Sequence, residues 1–134
     1  TLERNRANAQ KALVLNVKEG TSIFHSVMVH YENDLPVQIE DRCVNAEIVP
    51  EYLAQDYSQT TPHAYLSLIA PLTEGEHIVE AVRASAEECA LLNIKDHDPC
   101  LLIRRKTWSA SSIVSHARLL FPGSRYRLQG RFMS

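Results

Sequence analysis

The second half of this chain repeats the first. Moving the sequence along itself by 77 positions lays Ala9, Ala12, Val14, Leu15, Asn16, Val17, Lys18 and Glu19 over Ala86, Cys89, Leu91, Leu92, Asn93, Ile94, Lys95 and Asp96. The register continues without a gap: Ile23-Phe24 meet Cys100-Leu101, Tyr31 meets Trp108, and Val37 meets Val114. Self-similarity at a fixed offset marks a duplicated supersecondary unit. The expected fold therefore has two pseudo-symmetric halves, each a helix, a tight turn and two strands.

Local patterns fill in that unit. Residues 6–15 place Ala9, Ala12 and Leu13 at helical spacing, and Gly20 is a breaker. Residues 22–32 are β-branched and aromatic, Glu32 to Pro36 is turn chemistry, and 37–44 alternate with period two, which together predict a hairpin. The second copy predicts a helix over 85–92, a turn over 96–99, and strands over 100–108 and 113–121 joined at Ser109 to Ser112. Between the copies the pattern predicts a helix over 62–69 and a strand over 77–84, and after Pro122-Gly123 a short strand over 125–132. The class is α+β: one mainly antiparallel sheet of five or six strands with helices packed on it. At 134 residues this is expected to be one domain, 1–134.

Charge and apolar runs exclude several functions. Fourteen Lys and Arg stand against sixteen Asp and Glu, a net charge of −2, so the chain has no footprint for gripping a phosphate backbone. DNA contact by this chain alone is not expected. No apolar run exceeds four residues, far short of the roughly twenty needed to span a membrane. The three cysteines, Cys43, Cys89 and Cys100, have no CxxC spacing and read as reduced core thiols of a cytoplasmic protein. The start at Thr1 without Met is what a piece of a longer protein would show. The six histidines form neither HExxH nor HxH, so no metal site is expected, and no GxSxG elbow supports a hydrolase. No cofactor is expected.

Two places carry binding chemistry. Thr61 before Pro62 is an N-cap followed by proline at the first helical position. Such a helix start can hold a carboxylate through the N–H groups of His63 and Ala64. On the first hairpin, Gln38, Glu40 and Arg42 share one strand face, and Met28 and His30 share a face of the partner strand. A sheet face with a His, a Glu and an Arg beside an anion-ready helix start makes a plausible polar pocket. Arg118, on the last long strand, is a candidate carboxylate clamp. Tyr65 is a candidate aromatic wall. Arg104, Arg105 and Lys106 form a basic run that alternation leaves half solvated.

The hairpin SVMVHYENDLPVQIEDRCVN resembles that of the effector-binding UTRA domains found in the HutC subfamily of GntR-type bacterial transcription regulators. The stretches QDYSQTTPHAYLSLIAPLTEGEHIVEAV, PCLLIRRKTW and ARLLFPGSRYRLQGRF extend the resemblance from about Ala9 to Phe132. They are similar to the branch of the family that controls histidine breakdown. The resemblance implies a chorismate-lyase-like α+β fold without catalysis and a small-molecule inducer, urocanate. It also implies operator DNA read by a winged helix-turn-helix domain absent from this chain. The family's hairpin glutamate falls on Glu40. The arginine pair with which sugar-phosphate sensors meet phosphate falls on Met28 and His30, and their serine-rich helix start on Thr60-Thr61. Their acidic and tyrosine positions fall near Ser115 and Phe121. This depletion suits a flat, planar monoanion, with either Arg118 or His30 as its carboxylate partner. Ligand-binding positions are then His30, Glu40, Thr61, His63, Ala64, Tyr65 and Arg118. Glu40→Gln is expected to weaken the effector without much change in melting temperature. Open sheet edges and two-fold operators further imply a homodimer. A dimerisation module without a working pocket, or an enzyme of chorismate-lyase type, are the competing readings.

Overall fold

The duplication is visible in three dimensions. A computed structural model describes residues 1–133. The elements are β1 (Leu2–Arg6), α1 (Ala9–Leu15), β2 (Ser22–Glu32), β3 (Leu35–Asn45), a 3-10 turn (Tyr52–Ala54), α2 (Pro62–Ile69), β4 (Glu74–Arg83), α3 (Ala86–Leu92), β5 (Pro99–Ser109) and β6 (Ser112–Pro122). Adding the repeat offset to the bounds of α1, β2 and β3 gives those of α3, β5 and β6 residue for residue. Even the caps repeat. Asn8 and Ser85 each accept a backbone N–H at a helix start. Asn16 and Asn93 end the same helices at φ 53° and 54°, a left-handed conformation that Asn tolerates better than most residues.

All neighbours in the six-stranded sheet, order β1-β2-β3-β6-β5-β4, are antiparallel. Its middle pair, β3 with β6, sets Asp41 directly opposite Arg118, the residue one repeat away. A pseudo-two-fold axis therefore passes between these two side chains. Both repeated helices lie on one face. α1 covers Ile23 and Cys43 with Ala12 and Leu15, and α3 covers Ile39, Leu102 and Leu120 with Leu92. The segment between the repeats, residues 46–73, has no counterpart in either copy. It crosses the other face, where Val49, Tyr52 and Leu66 pack on Phe24, Val44 and Val114. Each such side chain, fully buried, contributes about 1.5–3 kcal/mol.

Two expectations needed correction. The predicted strand over 125–132 is not one. Gly123 turns the chain at the end of β6, where a Cβ would stand 2.8 Å from the Pro99 carbonyl oxygen. Beyond it Tyr126 stacks on Phe121 at 3.8 Å, and the Arg125 guanidinium donates to the carbonyls of Pro36, Leu92 and Asn93. The alternation in that stretch reflects one stacked ring and one anchoring arginine. The sixth strand is instead β1, whose sequence LERNR has no β-character and is held by its ladder to β2. No helix among the described residues is long and apolar enough to cross a membrane.

Candidate functional site

Strand alternation sends Met28, His30, Gln38, Glu40 and Arg42 to the face crossed by the 46–73 segment. There the structure brings His30, Gln38, Glu40, Arg42, Thr61, His63, Arg105 and Leu119 around a cavity of about 270 Å³. Glu40 is its electrostatic centre. One carboxylate oxygen accepts from Nε2 of His30 at 2.9 Å, and the other accepts from Nε of Arg42 at 2.8 Å. Arg42 also donates to Oγ of Ser115 at 3.0 Å. Glu40 is 4% exposed and Arg42 1%. Burial by itself would raise the Glu40 carboxyl. The His30 hydrogen bond and the Arg42 charge outweigh it and hold the pKa down to about 2. At neutral pH the site presents an anion bound to an interior cation.

α2 starts at the cavity rim as its sequence requires. Thr61 caps the helix and Pro62 opens it. The Thr61 hydroxyl accepts the N–H of Ala64 at 3.1 Å, so that N–H is already bound and is not a ligand donor as the sequence had suggested. His63 remains at the rim. Its imidazole is pushed toward the neutral form by burial and by the Arg105 and Arg42 charges.

Two further site residues lie elsewhere. Tyr65 packs into the Phe24 and Tyr52 cluster and does not line the cavity, whose apolar wall is Leu119. Arg118 is on the opposite sheet face, because its register partner Asp41 alternates away from Glu40. It bonds Glu88 there and lines a different cavity of about 400 Å³ with Lys11, Asp41, Arg104 and Lys106. Two cations of that second cavity, Arg104 and Arg118, are already paired with Glu80 and Glu88. Arg118→Ala should therefore leave effector affinity unchanged and cost at most about 1 kcal/mol of stability, since the ion pair is partly solvated. Calorimetric titration and urea denaturation of that variant check both halves.

Sequence reasoning missed Arg105. It lies across Ala117 from Arg42 in one cross-strand row, about 10 Å away by strand spacing. Its Nε donates to Nε2 of His77 at 2.9 Å, and no carboxylate among the described residues pairs with it. Burial, and then Arg105 itself, pushes the His77 ring toward the neutral form that accepts this bond. The signal was in the repeat: one offset from Arg105 lies Met28, one of the two positions on which the family resemblance places the arginines of sugar-phosphate sensors.

A sheet built by duplication, with an inserted helix roofing a charged pocket on one face, defines the class of protein. The chain matches the UTRA domain over residues 1–127 and belongs to that family. It is 77% identical over 133 residues to the histidine utilization repressor of Klebsiella aerogenes, covering 99% of this chain and 55% of that protein. The corresponding repressor of Pseudomonas aeruginosa is 60% identical over 134 residues, covering 100% of this chain and 54% of that protein. The crystal structure of the C-terminal domain of histidine utilization repressor from Pseudomonas syringae pv. tomato superposes with a TM-score of 0.96 at 57% identity. That superposition covers 100% of this chain and 95% of the other. These relatives are named as repressors, regulators rather than enzymes, and this chain spans about half the length of the two full-length ones.

Proposed function

We propose that this chain is the effector-sensing part of a transcriptional repressor of histidine utilisation, and that its effector is urocanate. One observation carries the reading: Arg105 faces the cavity without an acidic partner among the described residues, across from an ionised Glu40 held by His30. A rigid planar ligand with a carboxylate at one end and an imidazole at the other matches that polarity. Its carboxylate pairs with Arg105 beside His63 at the start of α2. Its ring lies against Leu119, and its N–H points to Glu40, with Gln38 and His30 alongside. The names of the relatives support the pathway. In this reading the protein acts in the cytoplasm as a homodimer, and operator DNA is bound by an N-terminal domain outside this chain.

The test is a titration of this chain with urocanate and with histidine, followed by calorimetry and thermal shift. A ligand that binds only the folded state adds about 2.7 kcal/mol of stability at a hundred times its Kd, so urocanate should raise the melting temperature clearly. Histidine brings an ammonium toward Arg105 and lacks the rigid conjugated spacer, so it should bind more weakly. Equal binding of the two, or no binding of urocanate, would remove the reading.

A further inference from the structure

The cavity of about 400 Å³ opens on the sheet face opposite the effector cavity, with strands for its floor and α1 for one wall. The repeat gives its floor a control. One offset back from Arg104, Lys106 and His116 stand Val27, Val29 and Ile39, which pack as core with Leu92 of α3. The same scaffold therefore carries three aliphatics in one copy and three titratable groups, each half-buried, in the other. That exchange forgoes apolar burial, the main favourable term in folding.

Register adds a second cost. β5 and β6 set Arg104 directly opposite Arg118 and Lys106 directly opposite His116, all four on one face. Like charges directly opposite are destabilising. The two arginines are compensated by Glu80 and Glu88, but the lysines are not. The pseudo-symmetric mate of the Glu88–Arg118 pair would join Lys11 of α1 to Asp41. Asp41 instead bonds Nε2 of His25 at 2.7 Å. No ion pair among the described residues includes Lys11 or Lys106, and Lys106 has the Trp108 ring at 6.0 Å. Glu76, the register partner of Lys106, is exposed at the rim. Burial, and then the Lys106 and Arg104 charges, push the His116 ring toward its neutral form, so the field over the floor is positive.

We propose that this cavity is a second ligand site, which takes a small organic dianion (a dicarboxylate or a phosphomonoester) between Lys11 and Lys106, above His116. Two unpaired ammonium groups set the charge of the ligand. The site stands apart from the effector reading: alternation along β5 sends Arg105 to one cavity and Arg104 and Lys106 to the other.

Calorimetric titration of this chain with succinate and with glycerol 3-phosphate, at low and constant ionic strength, tests the proposal. Acetate is the single-charge control. At about pH 7.5 the phosphomonoester carries nearly two charges. At least one dianion should bind about fivefold or more tighter than acetate, and Lys11→Gln and Lys106→Gln should each remove about the same factor. Whichever dianion binds tighter identifies the class. Its binding should also raise the pH at which the His116 ring titrates by NMR, because the neighbouring cations are then neutralised. Lys106→Gln should leave urocanate affinity unchanged. No preference over acetate, or dianion affinity that survives both lysine variants, overturns the proposal. Affinity lost in Arg105→Gln but kept in Lys106→Gln overturns it too, since the anion then occupies the effector cavity. Should a lysine variant fail to fold, the wild-type His116 signal decides, and a dianion that leaves it unmoved refutes the site.

Discussion

Glu40→Gln should lower the stability of the free chain by about 3 kcal/mol, corresponding to a fall in melting temperature on the order of 10 °C. The substitution keeps the shape and removes the charge. Arg42, 1% exposed, is then an interior cation whose remaining bond to a side chain outside the pair is the one to Ser115. The sequence had suggested a change in binding with little change in stability, but a carboxylate bonded to a buried guanidinium is part of the core. The pH dependence gives an independent handle. The folded pKa of about 2 is depressed below the ordinary 4.5, so the stabilisation is fully present above 4.5 and is lost as pH falls toward 2. Urea denaturation of wild type and variant at pH 7 and at steps between 5 and 2.5 measures it. The two stabilities should converge as acid is added. A variant as stable as wild type at pH 7 would show that Glu40 does not hold the pair.

Arg105→Gln should weaken urocanate binding ten- to a hundredfold while changing stability little. A hydrogen bond to a charged group contributes about 1.5–3 kcal/mol, which is one to two decades in Kd. The stability argument runs the other way from Glu40. Arg105 is half-buried, its partner is a neutral ring, and burial together with Arg42 already disfavours its charge. Removing that charge leaves no buried counter-ion behind. Calorimetric titration beside a urea denaturation curve separates the two effects. Unchanged affinity would take Arg105 out of the site and leave His63 and the start of α2 to meet the carboxylate.

Much of this architecture was legible because its determinants are local. The repeat offset, the cap at Thr61 and the alternation of the hairpins are all short-range, and each landed on its element. Grouping His30, Glu40, Thr61 and His63 also needed only alternation and one cap. What failed depended on partners far along the chain. β1 is a strand through its ladder to β2 and not through any strand preference of its residues. Arg118 was assigned without the register that pairs it with Asp41, and one step of register reverses the face of a side chain. Tyr65 was lost to a cluster with Phe24 and Tyr52 that no spacing announces. Arg105 was hidden in a basic run whose middle member alone turns toward the cavity.

The pseudo-two-fold axis between Asp41 and Arg118 also bears on stoichiometry. A sheet with equal halves offers two equal hollows, one per half, and by backbone alone this chain would take two ligands. The side chains do not repeat. One offset from His30, Glu40 and Arg42 stand Thr107, Ala117 and Leu119, and one offset back from Arg105 stands Met28. The 46–73 segment, present once, roofs a single hollow. Duplication therefore supplied the scaffold, and in the proposed reading the differences between its copies leave one effector site per chain on this face.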